Sequence, residues 1–417
     1  MDTLSGPGAG VTPDELTALD ATVAASLPAF LADLEHLCGI DCGSYTPEGV
    51  NEVATWVAAR FEALGGTAER RAHPEGKYGD VVVGTFRGRP GAGPRLLLIG
   101  HMDTVFEEGT VAKRPFRIDA DGIARGPGVT DMKGGLLAGL YALAALRVLG
   151  GGSWDALPFE RVVYVANPDE EIGSPFSTAT IREIVATSDA TFVLECARAN
   201  GDFVSARKGI FDLRLTVHGR AAHAGVEPEK GRNAILAGAD LVTRVHALNG
   251  RWPGVTANAG VFVAGTRPNI VPDLAEIQVD VRGVTRDALL GALAAVREIA
   301  AAPSVPDVTV EVDEMATWMP MEKLERSGRL ADHVIALAAR LGFVTKDVGT
   351  GGASDANTTS GMGIPSIDGL GPVGGLDHSP DEYLEVASIV PRTTLVAALL
   401  LAVGRDPVVA AWRAAKA

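Results

Sequence analysis

Two histidines and a series of carboxylates stand at intervals along this 417-residue chain: His101 in GHMDTV, Asp131 in GPGVTDMKGG, Glu170 and Glu171 in NPDEEIGS, Glu195 in VLECA and His378 in LDHSPDEY. Imidazole and carboxylate together suit zinc, and a set that leaves a position open for water is catalytic rather than structural. Two cations roughly 3.5–4 Å apart need one bridging carboxylate and terminal ligands on either side. Asp131 is the best bridge, because Gly126, Gly128, Gly134 and Gly135 let the backbone bend around it. His101 with Glu195 would complete one cation, and Glu171 with His378 the other. Asp103 lies two residues beyond His101, where it can hydrogen-bond the imidazole and fix its tautomer. Glu170 cannot easily share a metal with its immediate neighbour, so it is better placed as a general base.

Any one of these residues alone would read as a solvated side chain or a helix cap; their joint placement carries the argument. His36, His73, His218, His246 and His333 sit in ordinary helix, loop or strand contexts. Ser354 in GGASDAN lacks a Gly-x-Ser-x-Gly elbow. Gly349–Gly352 lacks the Lys-Ser/Thr that follows a phosphate loop. Cys38, Cys42 and Cys196 are an odd number with no base or further thiolate pair nearby, and read as buried thiols.

The elements that must position these groups fall into two patterns. Apolar spacing from Pro13 to Leu64 is helical, punctuated by Pro47 and Gly65-Gly66. Short continuous apolar runs follow at Leu97–Ile99, Val162–Val165 and Phe192–Leu194, as in strands covered on both faces. Between the first two, Met132 to Leu149 is a helical stretch stopped by Gly150-Gly151-Gly152. Strand, helix, strand predicts an α/β domain with a mostly parallel sheet, and ligands bind at the carboxyl ends of such strands. After Lys208-Gly209, Phe211–Val217 and Glu276–Arg282 alternate with period two, the mark of an antiparallel sheet with one wet face. Helical stretches at Asn233–Leu248 and Arg286–Ala301 would cover the other face. The expected organisation is a domain of residues 1–207 and 319–417 interrupted by an inserted α+β domain of 208–318, with a last helix from Pro391.

A net charge of −15, from 37 basic and 52 acidic residues, gives no footprint for nucleic acid or anionic lipid. The opening MDTLSGPGAGVTPDE has neither a basic nor an apolar leader region, and the apolar run Leu395–Val403 is short for a bilayer and reads as a buried helix. No membrane partner is expected, and a cytoplasmic location is.

The strings GHMDTV, GPGVTDMKGG, NPDEEIGS, GRAAHAGVEPEKGRNAI, GGASDAN, and IDGLG followed by DHSPDEY resemble the di-zinc aminoacylase and carboxypeptidase metallopeptidase family, most nearly its glutamate carboxypeptidase branch. They run in order from about residue 97 to 392. The resemblance implies two Zn²⁺ per subunit, with Co²⁺ or Mn²⁺ as substitutes, held by His101, Asp131, Glu171, Glu195 and His378, with Glu170 as base. It also implies a lid that pairs two subunits into a homodimer. A lid histidine, matched by His223, would enter the partner's site and stabilise an oxyanion. Asn269 and Arg282 would receive the substrate's carboxylate, a task for which the arginine fork is suited. In glutamate-releasing relatives the segments matching Asp202–Ser205 and Asp313–Trp318 carry extra basic side chains. Here Phe203, Met315 and Trp318 suggest a less polar pocket, in which an unpaired carboxylate would be costly.

The expected activity is hydrolysis of an amide bond next to a free carboxylate, in a short peptide or N-acyl amino acid, by metal-activated water with Glu170 as base. A strict glutamate carboxypeptidase acting on N-acyl-glutamate or folate-like substrates is one alternative. A non-catalytic metal-binding assembly protein is another, although such a relative would be expected to have lost a ligand or the base.

Overall fold

A computed structural model describes residues 6–412, so residues 1–5 and 413–417 lie outside the described residues. The described residues form two compact units, one within residues 6–205, 323–349 and 354–412, the other of 206–322 and 350–353.

The first unit is built on a six-stranded sheet in the order Thr67–Arg71, Val81–Arg87, Arg161–Asn167, Arg95–His101, Ala190–Val193 and Ser366–Ile367. The last four strands are parallel neighbours, as their continuous apolar runs predict. The first two pair antiparallel with each other and with Arg161–Asn167. That edge turns back because only a short loop separates Thr67–Arg71 from Val81–Arg87, whereas a parallel neighbour needs a crossover of a dozen residues or more.

Helices cover this sheet. Pro13–Cys38 starts at a capping box in which Thr12 and Glu15 satisfy each other's backbone N–H, and Pro47–Ala63 starts with proline at its first position. Gly134–Leu149 is apolar nearly all round and buries eleven side chains or glycine backbones from Gly134 to Leu146. The C-terminal helix expected to open at Pro391 begins at Val386, with Pro391 inside it, and runs to Arg405; a short helix, Pro407–Ala411, follows it. Helices Pro13–Cys38 and Val386–Arg405, and the segment Val129–Leu149, are long and apolar enough to cross a membrane by length and composition. The last two have most of that apolar stretch buried inside the protein.

The second unit carries a four-stranded antiparallel sheet in the order Thr256–Ala264, Leu274–Gly283, Gly209–His218 and Thr309–Trp318. Gly209–His218 alternates buried and half-buried residues along its whole length, the pattern expected from its period-two sequence. Helices Ala234–His246 and Arg286–Ala301 pack on the buried face around Leu213, Leu215, Ile277, Val279, Leu241 and Val296. At the edge, Val261, Phe262 and Val263 of Thr256–Ala264 are exposed.

Candidate metal centre

The first unit's sheet delivers its reactive groups at one end, where the parallel strands stop. His101 is the last residue of Arg95–His101; Glu170 and Glu171 form a turn after Arg161–Asn167; Glu195 follows Ala190–Val193 by two residues. Asp131 sits in an irregular turn before helix Gly134–Leu149. Two glycines make that turn feasible. Gly128 has φ +71°, and at Gly135 an added Cβ would lie 1.8 Å from the carbonyl oxygen of Leu194, so only glycine lets the helix approach the strand that leads to Glu195.

Asp131 stands between two imidazoles. Its Oδ1 is 3.1 Å from His101 Nε2 and its Oδ2 3.1 Å from His378 Nε2. His101 Nε2 is also 3.6 Å from Glu195 Oε1, and His378 Nε2 is 3.0 Å from Glu171 Oε2. Ligand atoms in each of the groups His101–Asp131–Glu171, His101–Glu170–Glu195 and Asp131–Asp377–His378 lie within 4.8 Å of one another. The structure therefore gathers all five residues expected to bind metal, along with Glu170. Asp377, the acid beside His378, joins them; nothing in its sequence context distinguishes it from a solvated loop residue.

His378 reaches the cluster from a backbone at φ +61°, a left-handed conformation that costs a non-glycine residue about 1–3 kcal/mol. Its side chain is half exposed, whereas His101 is buried.

Electrostatics within the cluster call for positive charge. Asp131, then Glu171, push the His378 imidazole up to about 11. Burial alone would lower His101, but hydrogen bonds it donates to Asp103 and Asp131 and the charge of Glu195 outweigh it, and its pKa lies well above the usual imidazole range. Burial, then the charge of Asp131, raises Glu171 to about 7. Burial also raises Glu170 well above the carboxylate range; Glu195, Asp355 and Glu171 add to that while His101 opposes it. Packing four acids this closely away from water is costly without a cation among them. Two imidazoles and these carboxylates are the mixed N/O donor set that divalent zinc, cobalt or manganese accepts, so the residues fit a metal pair.

A further layer holds the donors in place. Asp103 is completely buried and has its backbone oxygen 3.0 Å from His101 Nδ1. Its carboxylate accepts from Ser44 Oγ at 2.6 Å and from the backbone N–H of Glu170 and Glu171 at 3.2 Å each. One residue thus meets the imidazole through its backbone oxygen and the turn that carries Glu170 and Glu171 through its carboxylate, a wider role than the tautomer control expected of it. Asp355 accepts from Asn167 Nδ2 at 2.8 Å and Ser174 Oγ at 2.7 Å, bracing the same turn from below.

Glu382 escapes sequence reading altogether. It is buried, and accepts three backbone N–H groups: from Gly128 at 2.9 Å, Thr130 at 2.9 Å and Asp131 at 3.0 Å. The available signal was its place in the DHSPDEY string beside His378. Beneath the turn, Lys133 is fully buried and donates to the carbonyls of Pro127 and Ile40. Cys38, Cys42 and Cys196 are free and buried, as expected, with Cys38 pushed up to about 12 by burial.

The remaining expected site residues lie in the second unit. His223 is exposed in the short strand Ala222–His223, which pairs with Ile270–Val271; Asn269 immediately precedes that partner strand and accepts from Ala224 N at 3.0 Å. Arg282 projects from Leu274–Gly283, paired with Asp280 at 2.9 Å and donating to the Gly351 carbonyl at 2.9 Å. Its charge is therefore shared with an acid on its own strand. Of the residues expected to make the substrate pocket less polar, Met315 is exposed and Trp318 half-buried. Phe203 does not qualify. It is completely buried in the first unit's hydrophobic core, because it occupies an inward position on Phe203–Arg207.

The chain is similar in sequence and in fold to known proteins. The sequence pattern of peptidase family M20/M25/M40 matches residues 97–402. The chain is 31% identical over 380 residues to carboxypeptidase G2 from Pseudomonas sp. (strain RS-16), covering 90% of each. It is 28% identical over 331 residues to succinyl-diaminopimelate desuccinylase from Cereibacter sphaeroides, covering 75% of this chain and 84% of that one. Among solved structures, aminopeptidase PepT from Bacillus cereus superposes with a TM-score of 0.73 at 24% identity, over 90% of this chain and 98% of that one, a likeness of fold.

Proposed function

This chain belongs to peptidase family M20/M25/M40, a family of metal-dependent hydrolases, and from that premise we propose that it hydrolyses an amide bond next to a free carboxylate in a short peptide or N-acyl amino acid. The observation that carries the proposal is the position of Asp131, one oxygen on each of two imidazoles at 3.1 Å, as a bridging ligand requires. His101 with Glu195 and Glu171 with His378 would hold one divalent cation each, zinc by the donor set. Bound there, the cations would polarise the scissile carbonyl and make a water acidic enough to attack at neutral pH.

The protein's own residues supply the rest. Glu170, buried beside His101 and Glu195 and anchored by its backbone bond to Asp103, would be ionised by the positive charge of bound cations and then accept a proton from the attacking water and return it to the leaving nitrogen. Glu171, through its neighbouring bond to the same carboxylate, keeps a fixed spacing from Glu170.

In the second unit, the resemblance assigns His223 to the oxyanion and Asn269 and Arg282 to the substrate carboxylate. Supporting a place for both His223 and Asn269 at one substrate site is their closeness: His223 pairs with Ile270, and the Asn269 carbonyl accepts from Ala224 N at 3.0 Å. A carboxylate received by Arg282 would share it with Asp280. A homodimer through this unit is supported by the exposed apolar edge of Thr256–Ala264, since an unpaired hydrophobic edge strand is a template for another chain.

The test separates chemistry from binding. Glu170→Gln should lose about 10²–10⁴-fold in kcat while retaining the wild-type metal content. A variant that keeps its turnover at full metal occupancy would remove Glu170 from the mechanism.

A further inference from the structure

A cleft of about 510 Å³ opens beside the metal cluster, entirely within the first unit, and Glu171 forms part of its wall. Tyr45, Phe106 and Ile172 supply flat and apolar surface; Glu107 and Glu108 supply two exposed carboxylates. Neither lysine nor arginine is among the described residues that line it. Outside that lining, the Arg114 guanidinium lies over the Phe106 ring at 4.2 Å and donates to the Ser379 carbonyl.

We propose that this cleft receives the acyl half of the substrate and that Glu107 and Glu108 select a flat acyl group that is neutral or cationic, rejecting an anionic one. The proposal rests on the amidohydrolase reading above and adds to it a discrimination by charge. The half of the substrate that keeps the free carboxylate needs a cationic receiver, and the charged residues lining this cleft are Glu107, Glu108 and Glu171. The acyl half carries no such requirement. The exposed ring of Tyr45 favours stacking with a planar group, and a carboxylate placed between Glu107 and Glu108 meets repulsion that solvent screens only in part.

The experiment keeps the ring constant and varies only its charge. N-benzoyl, N-(4-carboxybenzoyl) and N-(4-aminomethylbenzoyl) derivatives of one amino acid are compared by kcat/KM on the metal-loaded protein, and by calorimetric binding to Glu170→Gln. The anionic compound should be about tenfold poorer than the neutral one, with the cationic compound equal or better, and the gap should shrink as salt is raised. In Glu107→Gln/Glu108→Gln the ratio of anionic to neutral kcat/KM should rise several-fold. Equal kcat/KM or equal binding across the three compounds would overturn the proposal. If none is turned over, the amidohydrolase reading fails for this substrate class, while the order of binding still decides the role of the cleft: the predicted order supports it and a charge-independent one refutes it.

Discussion

At Glu382 a single buried carboxylate takes hydrogen bonds from the backbone of Gly128, Thr130 and Asp131, and so helps set where the carboxylate of Asp131 points. Losing it would leave three buried N–H groups without an acceptor. Groups that orient ligands in this way are worth about 10–100-fold in metal affinity, and Glu382→Ala should lose metal to a competing chelator by a factor in that range. Unchanged retention in a folded variant would exclude the role. The opposite lesson comes from Phe203. Its match to a substrate-facing segment suggested a pocket wall, but the strand that carries it turns the ring into the core. Phe203→Ala should accordingly cost about 3–5 kcal/mol in chemical denaturation and leave the relative rates on different substrates alone. The five candidate ligands and Glu170 were legible because their chemistry is particular and each sits in its own short string. Glu382, Asp355 and Asp377 were not, because a buried acid that braces a turn has the same local sequence as an acid in water; only the fold distinguishes them.

Among the elements, the contact between helix Gly134–Leu149 and the strand that precedes Glu195 is the tightest constraint on the centre. The Cβ of an alanine at 135 would sit 1.8 Å from the Leu194 carbonyl oxygen, so helix or strand end must move. Gly135→Ala should lower stability by about 1–3 kcal/mol and weaken metal binding together, read by thermal unfolding and metal titration on the same sample. Wild-type values for both would show that the approach has slack. Continuous apolar runs told of the parallel strands Arg95–His101, Arg161–Asn167 and Ala190–Val193, and period-two alternation told of Gly209–His218 and Leu274–Gly283. The antiparallel edge at Thr67–Arg71 was illegible: its TAERR sequence is mostly exposed and polar, with no apolar periodicity to read. The C-terminal helix starts five residues before the proline that was expected to open it, since Pro391 comes after the first turn is already formed.

For the molecule as a whole, the alternation of buried-strand and wet-strand patterns along the chain foreshadowed two kinds of sheet, and the structure places each in its own compact unit. Association between chains is the property these units leave to experiment. If the edge strand Thr256–Ala264 pairs two subunits, sedimentation of the wild type should report a dimer and Phe262→Lys/Val263→Lys a monomer, because charge on an exposed edge opposes strand addition. A monomeric wild type at micromolar concentration would contradict that assembly. The central claim is narrower: residues from four separate strings converge on Asp131 to hold two cations. It is tested most directly by titrating the metal-free protein with zinc and counting equivalents bound. The account predicts two tightly bound ions per chain and the loss of at least one in Asp131→Ala, with the fold retained. A wild type that binds one ion or none, or an Asp131→Ala variant that still binds two, would contradict it.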